Sequence, residues 1–188
     1  YNTYEDVKYK GSSKWKKVGL NNEVEYKKVD FTRDVSVEIA RGDLSKIDLN
    51  IVYGKRYSIS SADVLLKKNI EYIAAINGPN YDVNFEPSEL VIIDGNIIHD
   101  FAGEEIRPIE NSGVFAVFNN GDVRIYSGDE YQHLPVNKKN SIRHAIQGIL
   151  LLKNHKANQK IYNNLVYHSI LTHRSIICTT PDNKVQLI

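Results

Sequence analysis

Three times in its second half the chain runs from apolar, β-branched residues into a tight cluster of turn residues and straight out again. Leu90-Val91-Ile92-Ile93 meets Asp94-Gly95-Asn96 and continues as Ile97-Ile98. Gly113 to Phe118 passes through Asn119-Asn120-Gly121-Asp122 into Val123-Arg124-Ile125-Tyr126. His173 to Thr179 turns at Pro181-Asp182-Asn183 and returns as Val185 to Ile188. Residues that tolerate positive φ, set between two strand-length apolar runs, are the strongest short-range signal for a β-hairpin. A chain with several such hairpins is committed to antiparallel sheet over much of its length.

The first half is less regular. Val35, Val37 and Ile39 alternate with Asp34, Ser36 and Glu38, which reads as a half-buried strand, and Ile47, Leu49 and Ile51 read as a second. Arg41-Gly42-Asp43 between them has turn chemistry. Ser60-Ser61-Ala62-Asp63 is a helix start, with Val64, Leu65, Leu66 and Ile70 as its apolar side and Asn69 as its stop. Tyr72-Ile73-Ala74-Ala75-Ile76 is a continuous apolar run of strand length, predicted to be a buried central strand. It ends in the turn cluster Asn77-Gly78-Pro79-Asn80-Tyr81-Asp82. A short helix is expected over Ser141 to Ala145, ahead of a strand at Ile149 to Leu152. With one helix before the central strand and no repeating βαβ unit, the pattern predicts an α+β fold, mostly antiparallel sheet with few helices. Residues 1–33 are rich in Lys, Glu, Asn and Tyr, with Trp15 as the single tryptophan. They read as an N-terminal arm with one hydrophobic anchor, and residues 34–188 as the domain.

Composition removes several function classes. A length of 188 residues suits one core of ordinary size. Lys and Arg total 24 against 23 Asp and Glu, so the chain lacks the positive field that draws proteins to nucleic acid. No apolar run approaches the roughly 20 residues needed to span a bilayer, so neither nucleic acid nor membrane is expected as a partner. Cys178 is the single cysteine, which excludes an intrachain disulfide and a Cys-based zinc site. Its neighbours Ile176 and Ile177 mark it as a small buried thiol. His99, His133, His144, His155 and His168 show no metal-ligand spacing, and no Gly-rich phosphate loop or nucleophile elbow occurs. The chain starts at Tyr1 without a methionine and stops on strand-like residues, from which it is expected to be a piece of a longer protein.

The segment Ala74-Ala75-Ile76-Asn77-Gly78-Pro79-Asn80-Tyr81-Asp82 resembles the signature of phosphodiester glycosidase domains, the family of the "uncovering enzyme" that cleaves a sugar-1-phosphate diester. There a buried strand ends in Ala-x-Asn-Gly-Gly-Phe-Phe-Asp. The surroundings are similar in order: Asp48-Leu49 and Ser58 to Ala62 upstream, then Leu90 to Ile98, Gly113 to Tyr126 and Gly148 to Asn154 downstream. Thr172-His173-Arg174-Ser175-Ile176, with Pro181 to Leu187, resembles the family's His-x-Arg-Thr-Ala motif and its hairpin. Two departures stand out. Pro79 replaces the second Gly and so removes a backbone donor, and no Asp-Gly-Gly-Gly-Ser-Ser segment follows. The resemblance therefore leaves room for a second chain, or a further segment, that completes the domain.

The chemistry such a domain needs can be matched to residues. Cleaving a sugar-1-phosphate diester requires an oxocarbenium-like transition state stabilised by carboxylates, and fixed donors for the phosphate, for which a forked Arg suits better than Lys. The resemblance implies Asp82 as acid/base, His173 as proton donor or phosphate ligand, Arg174 on the phosphate and Asn77 as orienter. Gly78 and Tyr81 would line the substrate, Tyr81 with a flat face for a ring. No cofactor is expected, and the histidine spacing offers no metal site. Alone, Asp82 reads more readily as a turn carboxylate bonding nearby amides than as a catalyst. The substrate class expected is a phosphorylated glycan or teichoic-acid-like polymer. The Lys-, Asn- and Ile-rich usage points to a phage or bacterial source, and hence to an extracellular or virion-associated place. The alternative from another class is a non-catalytic glycan-binding or structural module on the same fold.

Overall fold

The computed structural model describes residues 8–19, 21–32, 35–52, 72–84, 86–102, 109–154, 156–158 and 175–188. In chain order the strands are β1 (Tyr9–Ser12), β2 (Lys16–Val18), β3 (Val24–Phe31), β4 (Ser36–Asp43), β5 (Val91–Ile93), β6 (Asn96–His99), β7 (Ser112–Phe118) and β8 (Val123–Ser127). Two short helices follow, α1 (Gly128–Gln132) and α2 (Val136–Lys139). Then come β9 (Ile142–Ile149), β10 (Leu152–Lys153), β11 (Lys156–Ala157), β12 (Ile177–Thr179) and β13 (Lys184–Leu187). Every named strand pairing is antiparallel. The fold is α+β, mostly sheet with few helices, as the hairpin pattern requires. The expected helix from Ser60 and the motif around His173 lie outside the described residues.

The chain divides into two compact units. The first contains the described residues up to Ile47, Tyr72–Ile76 and the C-terminal strands. Its sheet runs β1-β3-β4-β13-β12, with β2 also on β3. Residues 8–32, read from sequence as an arm, supply three of its strands. Trp15 is the anchor there: the guanidinium of Arg41 stacks 3.8 Å from its ring centroid and is itself held by Glu25 at 2.8 Å.

Arg41-Gly42-Asp43 is not a turn; it is the end of β4, and the chain turns at 44–46 instead. The reason is packing. Val24, Gly42 and Val185 lie side by side across β3, β4 and β13, all buried. Ile47 then folds back over Gly42, where an added Cβ would sit 2.5 Å from its Cδ1. A glycine that looks like a turn former is here a floor for an isoleucine, and Ile47-Leu49-Ile51 forms no strand.

Tyr72–Ile76 also departs from expectation. It has no strand geometry and alternates between half-buried and exposed, with Ile73 at 44% exposure. Ile73 packs instead on the Gly19 turn, its Cδ1 2.9 Å from where a Cβ would stand. Five apolar residues in a row supply contact surface, but a ladder also needs partner strands.

The second unit holds Asp48–Val52 and the described residues from Asn77 to Asn158. Its sheet runs β6-β5-β9-β7-β8. The most buried strand is β7, between β9 and β8, whose Val114, Phe115, Ala116, Val117 and Phe118 are all buried, as a strand covered on both faces must be. Leu90, Ile92, Val114, Ala116, Phe118, Tyr131, Ile142 and Ala145 form one cluster, with Phe101, Tyr126 and Leu134 at its margin. Ser141 to Ala145, expected to be helical, opens into β9, because β7 offers it a full ladder from Ser112–Ile149 to Phe118–Ile142. The Asp94-Gly95 turn has φ of 49° and 76°, the paired left-handed geometry of the tightest hairpins. Ser127 caps α1 and closes a capping box with Glu130, which Lys153 grips at 2.8 Å.

Candidate functional site

The segment 77–90 leads into β5, and its two arms pair before the strand begins. Tyr81 bridges Pro87, the Ser88 N–H donates to the Asn80 carbonyl at 3.0 Å, and the Asp82 N–H donates to the Glu86 carbonyl at 2.8 Å. The Asp82 carboxylate closes the tip by accepting from the Asn84 N–H at 2.8 Å and the Glu86 N–H at 3.0 Å. The Glu86 N–H foremost, and then Asn84, hold the Asp82 carboxyl below the usual carboxylate range, and the nearby imidazole of His99 adds to the effect. Asp82 is exposed, and Tyr81 is 58% exposed beside it. Asn77 and Gly78 are exposed as well, and the space over Gly78 is open.

Four of the six residues singled out from sequence thus share one surface segment: Asn77, Gly78, Tyr81 and Asp82. His173 and Arg174 lie outside the described residues. The bonds of Asp82 to its own loop match the turn-carboxylate reading. They also favour its ionised form, which suits a charge stabiliser better than a proton donor.

Where this segment ends, at Leu90, begins a group of buried polar residues that sequence reasoning missed. Glu89, Asn111, Ser112 and Gln147 are all buried. Gln147 accepts from the N–H groups of Leu90 at 3.1 Å and Ala102 at 3.0 Å. It donates to the Ala102 carbonyl at 2.9 Å and to Ser112 Oγ at 3.2 Å. One side chain on β9 thereby ties together the start of β5, the 101–102 segment and the start of β7. In the sequence Gln147 only interrupts an apolar run, so its length and amide chemistry gave no sign of this role.

His99 was not singled out from sequence either. It closes β6 opposite Val91, the first residue of β5, and so stands at the same end of the sheet as the 77–90 segment. Its Nδ1 lies 3.0 Å from the Asp100 carbonyl. At the opposite end of the sheet, His144 is 2% exposed and accepts at Nδ1 from the Asp94 N–H at 3.3 Å. Burial, with the charge of Arg143, pushes the His144 pKa down, while Asp94 and Asp48 oppose the shift. Arg143 bonds to Asp48 and to the Leu49 carbonyl, and it lowers the Asp48 pKa.

Among the described residues no three His, Cys, Asp or Glu side chains stand close enough to hold a metal ion, and no helix is long and apolar enough to cross a membrane. Cys178 is half-buried, and burial raises its thiol pKa, which makes it a poor nucleophile. A shallow concavity on the first sheet, between Lys10, Ser12, Lys28 and Asp30, contains none of the candidate residues.

The profile of the phosphodiester glycosidase family matches residues 71–188, from just before the signature segment to the last hairpin. The chain belongs to the phosphodiester glycosidase family. No curated protein matches it.

Proposed function

We propose that the chain hydrolyses a sugar-1-phosphate diester in a cell-surface glycan or teichoic-acid-like polymer, outside the cell or on a virion. Membership of the family supports phosphodiester glycosidase activity in general. The observation that carries the reading to this chain is the Asn77–Asp82 segment. An ionised carboxylate and an exposed tyrosine ring lie next to each other there, on a loop held by its own hydrogen bonds. In this reading Tyr81 stacks on a sugar ring, Asn77 orients a hydroxyl and Asp82 stabilises positive charge on the anomeric carbon. His173 and Arg174 meet the phosphate.

The test is turnover of chromogenic sugar-1-phosphodiesters carrying several sugars, using this chain and a version extended beyond Ile188. Arg174→Ala should lower kcat on the order of 10²–10³-fold, as loss of one fixed donor to a developing anion does. A panel with no turnover in either form would refute the hydrolase reading. One observation favours a second reading, a glycan-binding module on the same fold: the carboxylate hydrogen bonds of Asp82 run to its own loop. Glycan binding without turnover would select it.

A further inference from the structure

We propose that His99 is the general base of this site, taking the proton of the water that attacks the anomeric carbon, with Asp82 as its counter-charge. The inference rests on the hydrolase reading above and adds to it a residue that no motif pointed to.

Three observations lead there. First, position: His99 ends β6 across from Val91, and the segment bearing Tyr81 and Asp82 folds back on Glu86 to Ser88 and then leads through Leu90 into Val91. Topology therefore brings the imidazole and the signature loop to one end of one sheet. Second, tautomer: the partner of Nδ1 is a backbone carbonyl, which can only accept, so Nδ1 carries the proton. In the neutral ring Nε2 is then the bare nitrogen. This is how a carbonyl behind a histidine fixes which nitrogen faces the chemistry. Third, charge: the His99 ring acts on the Asp82 carboxylate, so the two groups lie within electrostatic reach of each other. Asp100 is the other acidic group beside the ring, and its carboxylate accepts from the Phe101 N–H at 2.6 Å.

The chemistry of the leaving group decides between base and acid. When the bond from C1 to the phosphate oxygen breaks, its electron pair stays on a phosphomonoester, a far weaker base than a sugar alkoxide. Such a group departs without being protonated, so the step needing assistance is deprotonation of water. The water oxygen bonds to C1, its proton passes to His99 Nε2, and the phosphomonoester leaves as an anion. The imidazolium then returns the proton to solvent. Asp82 is the weaker candidate for this task, because its backbone donors keep it ionised and so lower its basicity.

The experiment uses the active form of the chain on the same substrates. His99→Gln should lower kcat by about 10²-fold or more, with KM little changed, and remove the acid limb of the pH–rate profile. His133→Gln, at the exposed C-cap of α1, should change neither. Turnover that His99→Gln leaves intact would overturn the inference and leave the hydrolase reading standing. If the wild type turns over none of the substrates, the hydrolase reading fails and His99 as a base fails with it. A second readout is independent of activity: ¹⁵N spectra of the imidazole should show the proton on Nδ1, and titration with a sugar 1-phosphate should move the Nε2 signal. A proton on Nε2, or a signal that the sugar phosphate leaves unmoved, would also overturn the proposal.

Discussion

The two sheets of this chain are both antiparallel, yet they are held by different means. Among the described residues the first has one buried row, Val24, Gly42 and Val185, and around it a surface of cross-strand pairs such as Glu25 with Arg41. The second encloses a cluster of eight buried residues and, at one end, the polar layer centred on Gln147. Hydrophobic area stabilises roughly in proportion to the surface removed from water, whereas exposed ion pairs contribute about 0–1 kcal/mol each. The second unit can therefore hold a loop in fixed geometry, and the Asn77–Asp82 part of the signature is attached to it. The lesson concerns placement: of the residues that mark the family, Asn77 to Asp82 belong to the unit with the larger buried core.

The largest effect should come from the polar layer. Gln147→Leu removes four hydrogen bonds and leaves the Leu90 and Ala102 N–H groups buried without a partner, at a cost of about 3 kcal/mol or more. Amide exchange in β7 and β9 reads it directly. Unchanged protection there would mean that the apolar cluster alone holds that end, and the contrast between the sheets would lose its main support.

A smaller effect is expected in the first sheet. Gly42→Ala brings a methyl group against Ile47 and should cost about 1–2 kcal/mol in a denaturant melt. Adding Ile47→Ala should make the pair less destabilising than the sum of the two single changes, since the clash disappears with the isoleucine tip. Strict additivity would show that Gly42 is needed for some other reason.

The smallest effect is tied to pH and belongs to the second unit alone. His144 has a folded pKa below its ordinary value of 6.5, because burial and Arg143 disfavour the charge. Between the two values the unfolded chain binds the extra proton, so stability rises with pH in that window. The contribution is complete above about pH 6.5 and is lost as pH falls through the folded value. Melts between pH 7 and 5 should show the decline, and His144→Gln should flatten it.

The hairpins were legible because turn chemistry is local. Asp94-Gly95 and Asn119 to Asp122 announce their geometry within four residues, and the strands on either side follow. What failed depends on distant partners. Ser141 to Ala145 has no visible reason to be extended until β7 is present to pair with it. The apolar run at Tyr72–Ile76 looks more buried than β7 does in the sequence, but only β7 has strands on both sides. In the candidate site, Asn77, Gly78, Tyr81 and Asp82 could be found because they follow one another along the chain. His99 and Gln147 could not, since their significance lies in what the sheet places beside them.

The Arg41-Gly42-Asp43 tripeptide has a consequence for anyone scanning sequences for short linear motifs. Receptors that read such a motif on cell surfaces need it displayed on a protruding loop, with the basic and acidic side chains splayed apart. Here its backbone is paired on both sides by β3 and β13, its glycine is roofed by Ile47, and its arginine is sandwiched between Trp15 and Glu25. Its aspartate is occupied with Ser45. The letters spell an adhesion signal, but in the folded chain no receptor could grasp it.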